Sequence, residues 1–188
     1  MACSLFFPTP LWKIEAEPVE GIVDWALQFE KDNPNSRIKS NEGGYQHDID
    51  IDNFPYTEKL LKIAHELPRF TCDEMWMNIN RKGDSNVVHC HPNIDMSIVW
   101  YLTDNENSFV LRNPHAYGMS AFFNSLTNNG IEVADRHAIN ATAGDVIAFP
   151  ASIDHYVDPH RKDTPRISLA FNAKIVYDSQ GKWDINIL

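Results

Sequence analysis

The stretch Val87-Val88-His89-Cys90-His91-Pro92-Asn93-Ile94-Asp95-Met96-Ser97-Ile98-Val99-Trp100-Tyr101-Leu102 decides how this chain is read. Residues 87–91 and 96–102 are rich in β-branched and aromatic side chains, the composition of strands. Between them Pro92 offers no backbone N–H, so Pro92-Asn93 interrupts the ladder. Two short strands around a sharp break predict antiparallel β-structure.

The same stretch carries chemistry. On a strand, side chains alternate between faces, so His89 and His91 point the same way. Two imidazoles on one face with a carboxylate close by make a good start on a non-haem metal site. Asp95 joins them only if the chain bends, because on an unbroken strand it would lie roughly 13 Å beyond His91. Cys90 points to the opposite face and is read as a small core residue behind the strand.

Outward from this stretch, the pattern continues as short strand-like runs separated by turn residues. They cover residues 74–80, 108–112, 137–141, 145–149, 155–157, 166–176 and 183–187. Frequent short strands predict a sandwich or barrel. Gly144-Asp145 reads as a tight turn into an apolar strand that Pro150 ends, and His155 opens the next strand. His155 is a candidate to close a metal triad with His89 and His91 or Asp95.

In residues 166–172, Arg166, Ser168, Ala170 and Asn172 share one face, while Ile167, Leu169 and Phe171 share the other. The second face is a packing face. On the first, a guanidinium beside a hydroxyl suits a carboxylate, if that face lines a cavity. Trp76, Asn78 and Asn80 alternate in the same way and are candidate pocket residues, the two asparagines as cofactor-binding groups. Trp100 and Tyr101 point in opposite directions, so at most one faces a cavity.

The first third of the chain differs. Residues 4–16 read as an edge strand interrupted by Pro8 and Pro10. Ile22, Trp25, Ala26 and Phe29 recur at helical spacing, predicting a helix over residues 20–31. A second is expected over 56–66. Residues 36–54, with Asp48, Asp50 and Asp52, read as a solvated loop, because the glycine and distal glutamate of an EF-hand are missing. The expectation is a single domain over 1–188, helical over about 1–69 and β-barrel over about 70–188. Residues 113–136 are long and mixed in composition, as a loop covering a site mouth would be.

Composition bounds the function. The chain has 188 residues, a formal charge of −10 and 43% hydrophobic residues, an ordinary globular profile. That charge argues against nucleic acid and anionic membranes as partners. Three cysteines, widely spaced, read as free thiols of a reducing compartment. With no signal-like start, a cytoplasmic protein is expected, or a host-cytoplasmic one if the source is viral.

Taken together, these residues resemble the Fe(II)- and 2-oxoglutarate-dependent oxygenases, and in particular the 2OG-Fe(II) oxygenase group of bacteria and phages. The resemblance rests on Leu5-Phe6-Phe7-Pro8-Thr9-Pro10, Ser40-Asn41-Glu42-Gly43-Gly44, His89-Cys90-His91-Pro92-Asn93 running into Ser97–Leu102, Gly144-Asp145 with Phe149-Pro150 and His155, and Arg166-Ile167-Ser168 with Phe171-Asn172. The histidine and glycine positions are also similar to the two cupin motifs. Both groups imply a mainly β double-stranded β-helix, jelly-roll or cupin-like, with the N-terminal helices packed outside.

The resemblance implies Fe(II) held by His155 and two of His89, His91 and Asp95. Most relatives have His-x-Asp or His-x-Glu, and here that position holds His91. Asp95 supplies the carboxylate, or His91 replaces it, or His91 is the first ligand paired with Asp95; the sequence leaves these open. It further implies 2-oxoglutarate as a small-molecule co-substrate, its distal carboxylate on Arg166 and Ser168, with release of succinate and CO2 as an unidentified substrate is hydroxylated. That substrate is a protein side chain or a small metabolite, and a homodimer is compatible with the pattern. Competing readings are a cupin-type metalloprotein with 2-oxoglutarate-independent chemistry, and a metal-free binding or structural relative. His115 and His137 are spare histidines.

Overall fold

A computed structural model describes residues 9–114 and 135–177 of the chain. Its elements are β1 (Trp12–Ile14), α1 (Ile22–Asp32), β2 (Asn41–Glu42), β3 (Tyr45–Asp48), α2 (Thr57–Ala64), β4 (Phe70–Asn80), β5 (Ser85–His89), β6 (Met96–Tyr101), β7 (Phe109–Arg112), β8 (Arg136–Ile139), β9 (Val146–Pro150), β10 (His155–Val157) and β11 (Arg166–Ile175). They form a six-stranded sheet, β1-β9-β6-β11-β4-β3, and a five-stranded sheet, β2-β5-β10-β7-β8. Every strand pair is antiparallel. This is the expected mainly β double-stranded β-helix.

Alternation of side chains divides the apolar residues into two cores. Met75, Met77 and Ile79 of β4, Ile167, Leu169 and Phe171 of β11, and Ile98 and Trp100 of β6 share the outer face of the larger sheet. They pack in one cluster with Ile22 and Ala26 of α1 and Ala64 of α2. Met77, Ile79, Ile167 and Leu169 are completely buried, and each contributes about 1.5–3 kcal/mol by leaving water. The helices are therefore held by an apolar sheet face that would otherwise be wet. The second core lies between the sheets, where Val99, Tyr101, Phe109, Phe149 and Val157 meet.

The Gly144 turn fixes how β9 enters. Gly144 has φ +100°, and a Cβ there would lie 2.1 Å from the Ala16 carbonyl oxygen. Its own carbonyl accepts the Trp100 Nε1–H at 3.1 Å. Buried Asp145 closes the turn by accepting from the Thr142 backbone N–H at 2.9 Å.

Several expectations need correction. Residues 36–54 are not a plain solvated loop: they supply β2 and β3, and Tyr45 and Gln46 are buried. Strands this short take their order from partners, β2 from β5 and β3 from β4, so their own periodicity carries little signal. The N-terminal third thus adds three strands to the sheets as well as the helices. β4 begins at Phe70, earlier than the expected 74. Cys90 is exposed rather than core, and it is a free thiol. The expected strand 183–187, the 4–8 part of the first strand, His115 and most of the expected covering loop fall outside the described residues. No helix among the described residues is long and apolar enough to cross a membrane.

Candidate metal centre

β5 and β10 build the centre. His155 stands opposite His89, but Val157 stands opposite Asn86. Three steps on β5 therefore match two on β10, a bulge at Val87-Val88. Residues three apart on a regular strand face opposite ways; the bulge lets both Asn86 and His89 turn inward, a use of bulges common beside active sites. Val87 and Val88 are left exposed outside. His91 lies just past the end of β5, tied down by its backbone N–H to the Ala151 carbonyl at 2.9 Å.

The three rings converge. Centroids are 4.3 Å apart for His89–His155, 5.2 Å for His89–His91 and 5.2 Å for His91–His155. One ring nitrogen from each lies within 4.8 Å of the other two, and among the described residues these three are the group of side chains placed to hold a metal ion. Trp76 stacks on His91 at 5.7 Å and 18°.

Hydrogen bonds set the tautomers of two of them. His89 Nδ1 lies 2.8 Å from the Val87 carbonyl oxygen, and His155 Nδ1 lies 2.8 Å from that of Ile153. A carbonyl only accepts, so each Nδ1 carries the proton and each Nε2 keeps its lone pair. Burial, reinforced by the neighbouring His89, pushes the His155 pKa down to about 3 and that of His91 to about 4. His89 is lowered as well, chiefly by burial. At neutral pH the cluster offers uncharged imidazoles, the state that binds a divalent transition metal.

Asp95 is not brought into this group. The chain does bend, with Asn93 at φ +66°, but the bend turns the carboxylate outward. Its Oδ2 accepts the Ile175 backbone N–H at 2.9 Å, capping β11. The donor set of the cluster is three imidazoles without a carboxylate. His137 stands exposed on β8, outside the cluster.

A cavity opens beside the histidines, and its walls also include Arg166, Ser168, Asn78 and Trp76. Arg166 is 3% exposed. Its Nε donates to Asn105 Oδ1 and its Nη1 to Asn80 Oδ1, each at 2.9 Å. Its guanidinium carbon lies 5.5 Å from the Tyr101 ring centroid. Among the described residues no carboxylate comes within ion-pairing distance of it. Asn80 therefore orients the arginine, while Asn78, opposite Ser168 on the sheet, faces the cavity. The Tyr101 hydroxyl is buried without a hydrogen-bond partner, and burial raises its pKa, so it stays protonated.

Asn105 and Tyr101 were not singled out as site residues in the sequence. Asn105 sits in a turn far from Arg166 in the chain, with no local pattern to mark it. Tyr101 could be found only by knowing which face of β6 turns inward. A second, larger cavity shares Trp76, His89 and His91 with the first and opens past Arg37, Lys39 and Glu74.

The sequence profile of the family described as "Putative 2OG-Fe(II) oxygenase" matches residues 74–172, the span from β4 through β11. No curated protein matches the sequence significantly. Among solved structures, HygX from Streptomyces hygroscopicus, crystallised with nickel, 2-oxoglutarate and hygromycin B, superposes with a TM-score of 0.60 at 13% identity, covering 90% of this chain and 84% of that one. A prolyl-4-hydroxylase from Pseudomonas putida gives 0.57 at 14% identity, covering 89% and 94%. SnoK, a non-heme alpha ketoglutarate dependent carbocyclase of nogalamycin biosynthesis, gives 0.60 at 11%, covering 88% and 80%. At such identities the likeness is one of fold.

Proposed function

The chain belongs to the 2OG-Fe(II) oxygenase family, and on that premise we propose that His89, His91 and His155 hold the iron while Arg166 receives the distal carboxylate of 2-oxoglutarate. The protein is an Fe(II)- and 2-oxoglutarate-dependent oxygenase. Iron held there would supply the redox chemistry by which dioxygen is consumed, one oxygen atom going into succinate as 2-oxoglutarate loses CO2 and the other into a substrate C–H bond.

The observation that carries the co-substrate reading is Arg166. A buried cation held only by neutral amides is costly unless an anion joins it. Asn105 accepts from Nε and Asn80 from Nη1, which leaves the second Nη1 N–H and both Nη2 N–H groups for a carboxylate, which arginine binds through two parallel hydrogen bonds. Ser168 is a donor on the same wall, and the Tyr101 ring lies against the guanidinium. The imidazoles, neutral and in His89 and His155 fixed in tautomer by backbone carbonyls, suit divalent transition metals, Fe(II) included. Phe109, Phe149 and Val157 line the same cavity and keep water away from the reacting groups. The prime substrate enters through the larger cavity, which reaches His89 and His91 from outside. HygX and the prolyl-4-hydroxylase mark its two broad classes, a small metabolite and a prolyl side chain.

A cupin-type centre without 2-oxoglutarate would have no use for an unpaired buried arginine. The test is anaerobic titration of the chelator-stripped protein with Fe(II) and then 2-oxoglutarate, followed by visible absorption. A weak charge-transfer band is expected, lost in His155→Ala and in Arg166→Ala at moderate 2-oxoglutarate. Iron binding without the band would favour the cupin-type reading, and no iron binding would overturn the metal centre.

A further inference from the structure

A neutral imidazole has one N–H and one lone pair. If the lone pair goes to a metal, the N–H needs an acceptor. For His89 and His155 the carbonyls of Val87 and Ile153 meet that need. His91 lies beyond β5, where the chain turns away at Pro92-Asn93, and among the described residues no backbone carbonyl accepts from its ring.

Asn172 of β11 stands beside that ring. It is 7% exposed and borders the same cavity as His91, Trp76 and Glu74. Its Nδ2 donates to Glu74 Oε2 at 2.7 Å. A carboxylate only accepts, so this bond fixes which way the amide points, and Oδ1 is turned from Glu74. That oxygen is buried and has no hydrogen-bond donor. Asn172 and Glu74 both act to raise the His91 pKa, although burial outweighs them. One ring N–H lacks an acceptor, and one buried acceptor beside it lacks a donor. A buried acceptor left unpaired costs about 1–3 kcal/mol, so the pairing would remove a penalty as well as orient a ligand.

We propose that Asn172 is the positioning residue of His91: its Oδ1 takes the ring N–H of His91 when the metal binds, and Glu74 holds the Asn172 amide in the orientation this requires. The proposal rests on the metal-centre reading above. Glu74, Asn172 and His91 form a side-chain chain that does for the third ligand what backbone carbonyls do for the other two. Trp76, stacked on the ring, fixes its plane; Asn172 fixes its tautomer.

The roles differ from packing in a way that can be measured. Glu74→Gln keeps the shape of an exposed side chain but removes the directional constraint, since glutamine presents a donor and an acceptor. The Asn172 amide is then free to turn its Nδ2 toward His91, where donor meets donor. Asn172→Asp keeps an acceptor toward the ring whichever way it turns, with one proton shared between the new carboxyl and Glu74 in place of the amide bond. Asn172→Leu keeps the volume and removes the acceptor.

The test is calorimetric titration of the chelator-stripped full chain with Co(II), without 2-oxoglutarate, together with the visible spectrum of the Co(II) protein. Glu74→Gln and Asn172→Leu are expected to weaken Co(II) binding about 10- to 100-fold, the usual loss when an outer hydrogen-bond partner of a ligand is removed, and to shift the Co(II) absorption bands. Asn172→Asp is expected to bind at least as tightly as wild type. If Asn172→Leu does not fold, Glu74→Gln at its exposed position carries the test. Wild-type affinity and spectrum in Glu74→Gln, or Asn172→Asp as weak as Asn172→Leu, would overturn the proposal while leaving the metal centre standing. A wild-type protein that does not bind Co(II) would overturn the metal centre itself.

Discussion

His89 and His155 stand directly opposite each other across the β5–β10 pair, their ring centroids 4.3 Å apart. The contact exists because one bulge on β5 turns His89 inward while keeping Asn86 inward too. Strand register and metal geometry are thus the same fact. Losing either ring should weaken divalent-metal binding by more than the roughly 100-fold that an outer partner costs, and calorimetry on His89→Ala and His155→Ala checks this.

Asp95 gives the opposite expectation. Its carboxylate caps β11 at Ile175 and is absent from the histidine cluster. Asp95→Ala should cost about 1 kcal/mol of stability, the value of one modest hydrogen bond, and leave Fe(II) affinity unchanged. A chemical denaturation curve and a metal titration on the same variant separate the two effects. Metal affinity that falls as far as in His155→Ala would return Asp95 to the ligand set.

Arg166 links stability to the co-substrate. Saturating 2-oxoglutarate at about 100 times its dissociation constant should stabilise the metal-loaded wild type by about 2.7 kcal/mol. In Arg166→Met that increment should largely vanish, read as the thermal shift on adding 2-oxoglutarate. The protein without 2-oxoglutarate should change little, because removing an uncompensated buried charge offsets the loss of the bonds to Asn80 and Asn105. An undiminished thermal shift in the variant would place the carboxylate elsewhere.

The depressed histidines make the metal-free protein acid-sensitive. His155 titrates at about 3 in the folded chain, against about 6.5 unfolded. Between those values the unfolded chain binds more protons, so stability is fully present above about pH 6.5 and is lost as pH falls toward 3. The slope is up to about 1.4 kcal/mol per pH unit for this group, and His91 and His89 add in the same direction. Urea midpoints of chelator-stripped protein should fall from pH 7.5 to pH 5, and His155→Leu should flatten the fall. A wild-type midpoint independent of pH across that range would contradict it.

Gly144→Ala tests the turn rather than the chemistry. A positive φ and a Cβ 2.1 Å from the Ala16 oxygen should cost at least roughly 2 kcal/mol. The histidine cluster lies elsewhere, so metal affinity of the folded fraction should match wild type. A variant as stable as wild type would show that the Ala16 segment moves aside freely.

The sequence by itself determined what alternation can determine. A period of two put His89 with His91, Arg166 with Ser168, and Asn78 with Asn80 on common faces. The apolar partners Ile167, Leu169 and Phe171 marked the packing face, and helical spacing marked α1 and α2. These are local properties, set by backbone geometry wherever the chain lies. What only the tertiary structure decided are relations between distant segments. Asp95 is a ligand or a cap according to where Ile175 lies. Asn80 serves Arg166 because β4 and β11 pair in a particular register. Asn105 reaches Arg166, and Asn172 reaches His91, only once the sheets have closed. The short strands β2 and β3 were hidden for the same reason, since their hydrogen bonds belong to partners far along the chain. Face membership is written every second residue; which faces meet is settled by register, and register depends on the whole barrel.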